Sequence, residues 1–180
     1  MPTDKHPTRE QLLRSAQALC SAFASKSDND TLLSHFSSTH QISAIEHGLP
    51  LLAPFLGRSF SGRAGANSVP AYFDLLRQYL TYQDMSFGTW VVDAEAQRVS
   101  VKGRAQFTWI EGEGNGQSWD EAFAYILDFD HDAKITDYQV WADSGAAYLA
   151  RHGQLKQLIE GNEVRASVKA DDQSDTTVVE

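Results

Sequence analysis

Two neighbouring runs restrict what this chain can fold into more than anything else in it. Trp119-Asp120-Glu121-Ala122-Phe123-Ala124-Tyr125-Ile126-Leu127-Asp128-Phe129-Asp130 alternates between two kinds of side chain. Lys134-Ile135-Thr136-Asp137-Tyr138-Gln139-Val140-Trp141-Ala142-Asp143-Ser144 alternates again and ends in a helix-capping Asp-Ser. A period of two marks a strand with one buried face. The short turn Asp130-His131-Asp132-Ala133 predicts that the two strands pair antiparallel. One face of the first strand carries Trp119, Glu121, Phe123, Tyr125, Leu127 and Phe129, an aromatic surface with a single carboxylate. Behind a helical N-terminal half, such a hairpin predicts a curved sheet wrapped around a pocket.

The upstream elements agree. Thr8 and Gln11 have capping-box spacing, and Leu12, Ala16, Leu19, Cys20 and Phe23 then fall on one helical face. A short second helix carries Leu32, Leu33 and Phe36, and a strand follows over about 39–47. Residues 48–66 form a long apolar loop broken by Pro50 and Pro54, the pattern of a lid or pocket wall with Phe55 on it. A third helix starts near Asn67 or Ser68, with Val69, Tyr72, Phe73, Leu76, Tyr79 and Leu80 as its buried stripe. Strands are predicted over about 85–93, 98–110 and 117–129, then a last strand and a capped helix over 144–152.

At 180 residues and 42% hydrophobic, the chain supports one domain with a substantial core. Its net charge of −9 argues against non-specific binding to nucleic acid or to an anionic membrane. Residues 160–180 hold six acids against two bases and no aromatic side chain. The expected division is a folded domain over 8–152 and an acidic, largely disordered tail over 153–180. Cys20 is the one cysteine, which excludes an intramolecular disulfide and fits a reducing compartment. With no apolar leader and no apolar run near the ~18–20 residues needed to cross a bilayer, the expectation is a cytoplasmic protein.

The order α-α-β-α-β-β-β-β-α resembles the NTF2-like superfamily, in particular its SnoaL-like branch of polyketide cyclases, ketosteroid isomerases, limonene epoxide hydrolases and scytalone dehydratases. The two N-terminal helices, Trp119-Asp120-Glu121, the turn from Asp128-Phe129-Asp130 to Lys134-Ile135, and Trp141-Ala142-Asp143-Ser144 carry the resemblance, over roughly 8–152. It implies an α+β cone, a curved and mostly antiparallel sheet closed by helices around a deep apolar pocket. It also makes a homodimer an expectation, since dimers are common in that superfamily.

Several residues are candidates for chemistry. Glu121 among aromatic side chains would have its pKa raised, by up to ~3–5 units if fully buried, which tunes a general acid or base. It also lies near a strand start, where a cone opens to water. Ketosteroid isomerases carry their catalytic carboxylate just past the first strand, and the matching step here is Glu46-His47-Gly48. That resemblance leaves Glu46 or His47 as base, with Glu121 as partner acid; both could equally be a solvated pair at a strand end. His40, Phe55, Phe107, Trp119, Tyr125 and Trp141 are the expected substrate-binding residues. Opposite strand parity keeps His40, Glu46 and His47 from converging on a metal, and no His-x-x-x-His or Cys-x-x-Cys spacing occurs. Arg104-Ala105-Gln106 lacks the Asp of the epoxide hydrolase strand motif, which argues against that reaction. Asp143 reads as a helix N-cap. Two functions remain open: a cofactor-free isomerase, cyclase or dehydratase acting on an apolar oxygenated small molecule, and a non-catalytic ligand-binding or dimerisation module.

Overall fold

The computed structural model describes residues 6–162. Three helices come early: α1 (Arg9–Ala24), α2 (Asn29–Leu33) and α3 (Val69–Tyr79). They cover a six-stranded sheet of β1 (Ser43–His47), β2 (Ser59–Ser61), β3 (Leu80–Asp93), β4 (Arg98–Trp109), β5 (Ser118–Phe129) and β6 (Ile135–Trp141), and α4 (Ser144–Arg151) closes one end. The strand order is β2-β1-β6-β5-β4-β3. All neighbouring strands are antiparallel except β1 and β6, which run parallel with Glu46 opposite Val140. The fold is therefore the expected α+β cone, with a curved open sheet.

Local chemistry sets the helix starts. The Thr8 hydroxyl accepts from the Gln11 amide while the Gln11 side chain accepts from the Thr8 amide, so a full capping box opens α1. Ser68 caps α3 and Asp143 caps α4, the latter accepting from the Ala146 amide at 3.0 Å. The predicted apolar stripe of α1 is buried throughout.

Curvature has an identifiable origin. The pairing of β3 with β4 slips between Gln83 and Ser86 and again between Gly88 and Val91. Asp84 and Thr89, inside those slips, have φ of 55° and 57°. Each slip is a bulge that bends the strand and increases its twist. Gly103 lets the inner face close up: a Cβ there would stand 2.1 Å from the ring of Phe123, its partner across the β4–β5 ladder.

Four expectations need correction. The third helix runs straight into β3 at Leu80, five residues before the predicted strand, because the half-buried alternation begins there. The first strand begins only at Ser43. The loop over 48–66 contains strand β2, and its Ala53, Phe55 and Leu56 are buried, so this segment packs as wall. Its neck is closed by the Gly57 amide, which donates to the Glu46 carbonyl at 2.8 Å; Gly57 has φ +66°, and a Cβ there would strike the Gly48 carbonyl. Residues 155–162, placed in the expected disordered tail, are helical, with Leu155 buried. Residues 163–180 of that tail lie outside the described residues. No helix among the described residues is long and apolar enough to cross a membrane.

A methyl group at Gly103 has no room unless the Phe123 ring moves. Gly103→Ala should lower the unfolding free energy by ~1–3 kcal/mol, read as a lower urea midpoint at unchanged m-value.

Candidate active site

The inner face of the sheet and the buried faces of α1 and α3 enclose a cavity of about 90 Å³. Strand parity decides which side chains reach it. On β5, Trp119, Glu121, Phe123 and Tyr125 face inward and line it. On β1, the inward set is Ala44 and Glu46, and Glu46 lines the cavity. Phe55 from the loop, Phe107 from β4, Tyr138 and Val140 from β6, and Tyr72 and Phe73 from α3 complete much of the wall.

Two carboxyl groups thus face one apolar space, each 9% exposed or less. The Tyr72 hydroxyl donates to Glu46 Oε2 at 2.8 Å. Burial pushes the Glu46 carboxyl up to about 8, against the opposing effect of the Tyr72 bond and with help from the charge of Glu121. Glu46 is therefore mostly a neutral acid at pH 7. Burial raises Glu121; the Trp119 indole N–H donates to it and favours its ionised form, as does the nearby Asp143 backbone N–H, while the Asp143 charge works against that form. The two environments differ in kind. Burial first, and the neighbouring Glu46 second, hold the Tyr72 hydroxyl well above its ordinary value, so it stays a phenol.

Six of the nine residues singled out in the sequence meet here: Glu46, Glu121, Phe55, Phe107, Trp119 and Tyr125. Three do not. His47 has the opposite parity to Glu46 and lies on the outer face of the sheet, where Nε2 is 3.0 Å from Gln139 Oε1. Trp141 stacks on the His47 ring at 4.1 Å and is 41% exposed, so it lines the outside. His40 precedes β1 at the far end, bonded to Thr39 and 3.5 Å from Asp130. Phe55 is buried wall, not the tip of an open lid. Asp143 caps α4 as expected and also lines the cavity.

Sequence reasoning missed Tyr72 and Tyr138 as site residues. Tyr72 belongs to the predicted buried stripe of the third helix, and Tyr138 to the alternating last strand. A tyrosine on a buried face needs a partner for its hydroxyl, and that was the available signal.

No protein-family model and no curated protein sequence matches the chain. Solved structures do match in fold. An NTF2-like protein of unknown function from Burkholderia pseudomallei superposes with a TM-score of 0.60 at 14% identity, over 75% of this chain and 92% of that one. The BvnE pinacolase of Penicillium brevicompactum gives 0.55 at 15% identity, over 91% and 99%. PrhC from Penicillium brasilianum gives 0.57 at 19%, over 84% and 97%. The chain has the NTF2-like fold, as its element order and ending suggested.

The raised Glu46 carboxyl makes stability depend on pH in a definite direction. Folded Glu46 holds its proton up to about 8, against an ordinary value of 4.5. Between those values the folded state binds more protons than the unfolded one, so this contribution is intact below 4.5 and is lost as pH rises through 8. Glu46→Gln keeps the shape and removes the titration. The unfolding free energy of Glu46→Gln minus that of the parent should grow from pH 5 to pH 9 by a few kcal/mol, because each factor of ten in proton affinity is worth ~1.4 kcal/mol. Urea denaturation at each pH reads it, and a flat difference would mean that folded Glu46 titrates at its ordinary value. Tyr72→Phe removes the hydrogen bond that favours the carboxylate, so the Glu46 titration followed by carboxyl ¹³C NMR should move further up.

Proposed function

We propose that the protein is a cofactor-free isomerase, cyclase or dehydratase of the SnoaL type, acting on an apolar oxygenated small molecule. The observation that carries this is the pair of buried carboxyl groups on one cavity with environments that drive them apart. Pairs of this kind divide acid and base roles between them. Glu46, neutral at pH 7, is the acid that donates to a substrate oxygen. Glu121, raised less far than Glu46 and bonded by the Trp119 indole N–H, is the carboxylate that takes a proton from carbon. This reverses the roles suggested by the sequence and sets His47 aside. Trp119, Phe107, Tyr125 and Phe55 shape the wall. Further support comes from fold neighbours that include a pinacolase.

A second reading, the non-catalytic module, has one observation in its favour. The cavity of about 90 Å³ is well below the ~300–1,000 Å³ of ordinary ligand clefts. A substrate of ordinary size needs the wall to yield, and Leu76, Leu80, Tyr82, Met85 and Phe107 are the half-buried lining residues best placed to do so.

A panel of hydroxylated and carbonyl-bearing small molecules, followed by chromatography for isomerised or dehydrated products, tests the choice. On any substrate found, Glu46→Gln and Glu121→Gln should each lower kcat/KM by ~10²–10⁴-fold, while His47→Gln leaves it nearly unchanged. Equal rates in all three variants would remove the acid–base reading.

A further inference from the structure

We infer that the cavity is built to hold positive charge, and that its substrate is an alcohol or vicinal diol whose C–O bond breaks to leave a carbocation. This rests on the acid–base reading above and narrows it to one substrate class.

The first observation is composition. Ten of the 22 residues lining the cavity are aromatic, against 11% of the chain. The rings are close to one another: Tyr125 and Tyr138 have centroids 4.9 Å apart, and Phe107 stacks on Trp119 at 5.9 Å. Aromatic faces carry the negative part of the ring quadrupole and attract cations, most strongly where water is excluded.

The second observation is charge. Glu121 and Asp143 line the cavity beside the neutral Glu46, and among the described residues Arg77 is the only cationic one that does. Its guanidinium is taken up elsewhere, by Asn29 Oδ1, Asp74 Oδ1 and the Ser27 carbonyl.

The third is the shortage of free donors. An enolate or other oxyanion needs hydrogen-bond donors aimed at the developing charge. Here the Tyr72 hydroxyl is used on Glu46, the Trp119 N–H on Glu121 and the Tyr82 hydroxyl on the Phe23 carbonyl. Rings and carboxyl groups thus dominate the wall, which suits a cation, and the Glu46 acid proton is a donor left for a substrate hydroxyl.

The chemistry balances without a co-reactant. The Glu46 carboxylic acid gives its proton to the substrate hydroxyl. The C–O bond then breaks, its electron pair leaving with water. A C–H bond beside the cationic carbon supplies the electrons of a new C=C bond, and its proton goes to the Glu121 carboxylate. Transfer of that proton back to Glu46 resets the site. The sum is alcohol to alkene plus water, with no change in oxidation level overall. In a vicinal diol, a 1,2-shift in place of C–H loss moves the charge to the carbon bearing the second hydroxyl, whose O–H proton goes to the Glu121 carboxylate, leaving a carbonyl compound and the same water.

A matched pair of probes separates the ideas. Choline and 3,3-dimethylbutan-1-ol share shape and hydroxyl but differ by one positive charge. Each is titrated into the full chain at pH 7 with tryptophan fluorescence, Trp119 being in the wall. Choline should bind about tenfold more tightly than the alcohol, and Glu121→Gln and Phe107→Leu, each checked for an unchanged circular dichroism spectrum, should each reduce that preference. Equal or tighter binding of the alcohol overturns the inference and leaves the acid–base reading standing. A preference that survives intact in both Glu121→Gln and Phe107→Leu places the choline outside the cavity and also overturns it. Binding of neither probe also overturns the inference, while the acid–base reading stands or falls on the Glu46→Gln and Glu121→Gln rates.

Discussion

A carboxyl group taken out of water must be neutralised or paired, because an isolated buried charge is too costly to keep. Glu46 is the point at which this protein meets that requirement, and much of the architecture follows from how it does so. The group sits at the end of β1 and is closed over by the loop whose Gly57 amide holds the Glu46 carbonyl. It retains its proton, and Tyr72 supplies its side-chain donor. Tyr72 is on the buried stripe of α3, so the seating of that helix and the placement of β1 are coupled through one bond. β1 in turn is held by its parallel pairing with β6, the one parallel strand pair in the described sheet.

Glu121 faces the same space under different terms. It lies one strand beyond β6, where the Trp119 indole and the Asp143 amide reach it and Asp143 opens α4. The cap of that helix is therefore also the back of the site. A low-dielectric, ring-lined space amplifies the difference between a carboxyl with a phenol as its donor and one with an indole N–H. That difference gives two chemically identical groups unlike surroundings. The asymmetry comes from the scaffold; the side chains themselves are the same.

The bulges of β3 and the glycine of β4 give the sheet its shape. Without the slips at Asp84 and Thr89 the long edge strand would run flatter, and without Gly103 the Phe123 ring could not lie against the neighbouring strand. Function and fold are linked here through curvature: the ring of aromatic side chains exists because the inner face of the sheet is concave. The same tightness explains the modest volume of the cavity, since those rings pack against one another as well as around the space.

Much of this was legible in the sequence. Period-two alternation assigned the inner face of β5 residue by residue, and parity alone put Glu46 and His47 on opposite faces. Capping residues located the starts of α1, α3 and α4. Parity could not say which face of β1 turns inward, because Ala44 and Glu46 on one side and Ile45 and His47 on the other are nearly equal in apolar character. The neighbouring strand settled it, and His47 with Trp141 went to the outside. Strand β2 was invisible because three residues with one apolar side chain carry no period. What the sequence determined by itself was each residue's place on its own helix or strand, since that depends on local geometry. Which distant side chain each would meet was decided only by the tertiary structure. The Tyr72 hydroxyl and the Glu46 carboxyl are 26 residues apart, and the protonation of one by its surroundings depends on a closed volume that no local pattern encodes.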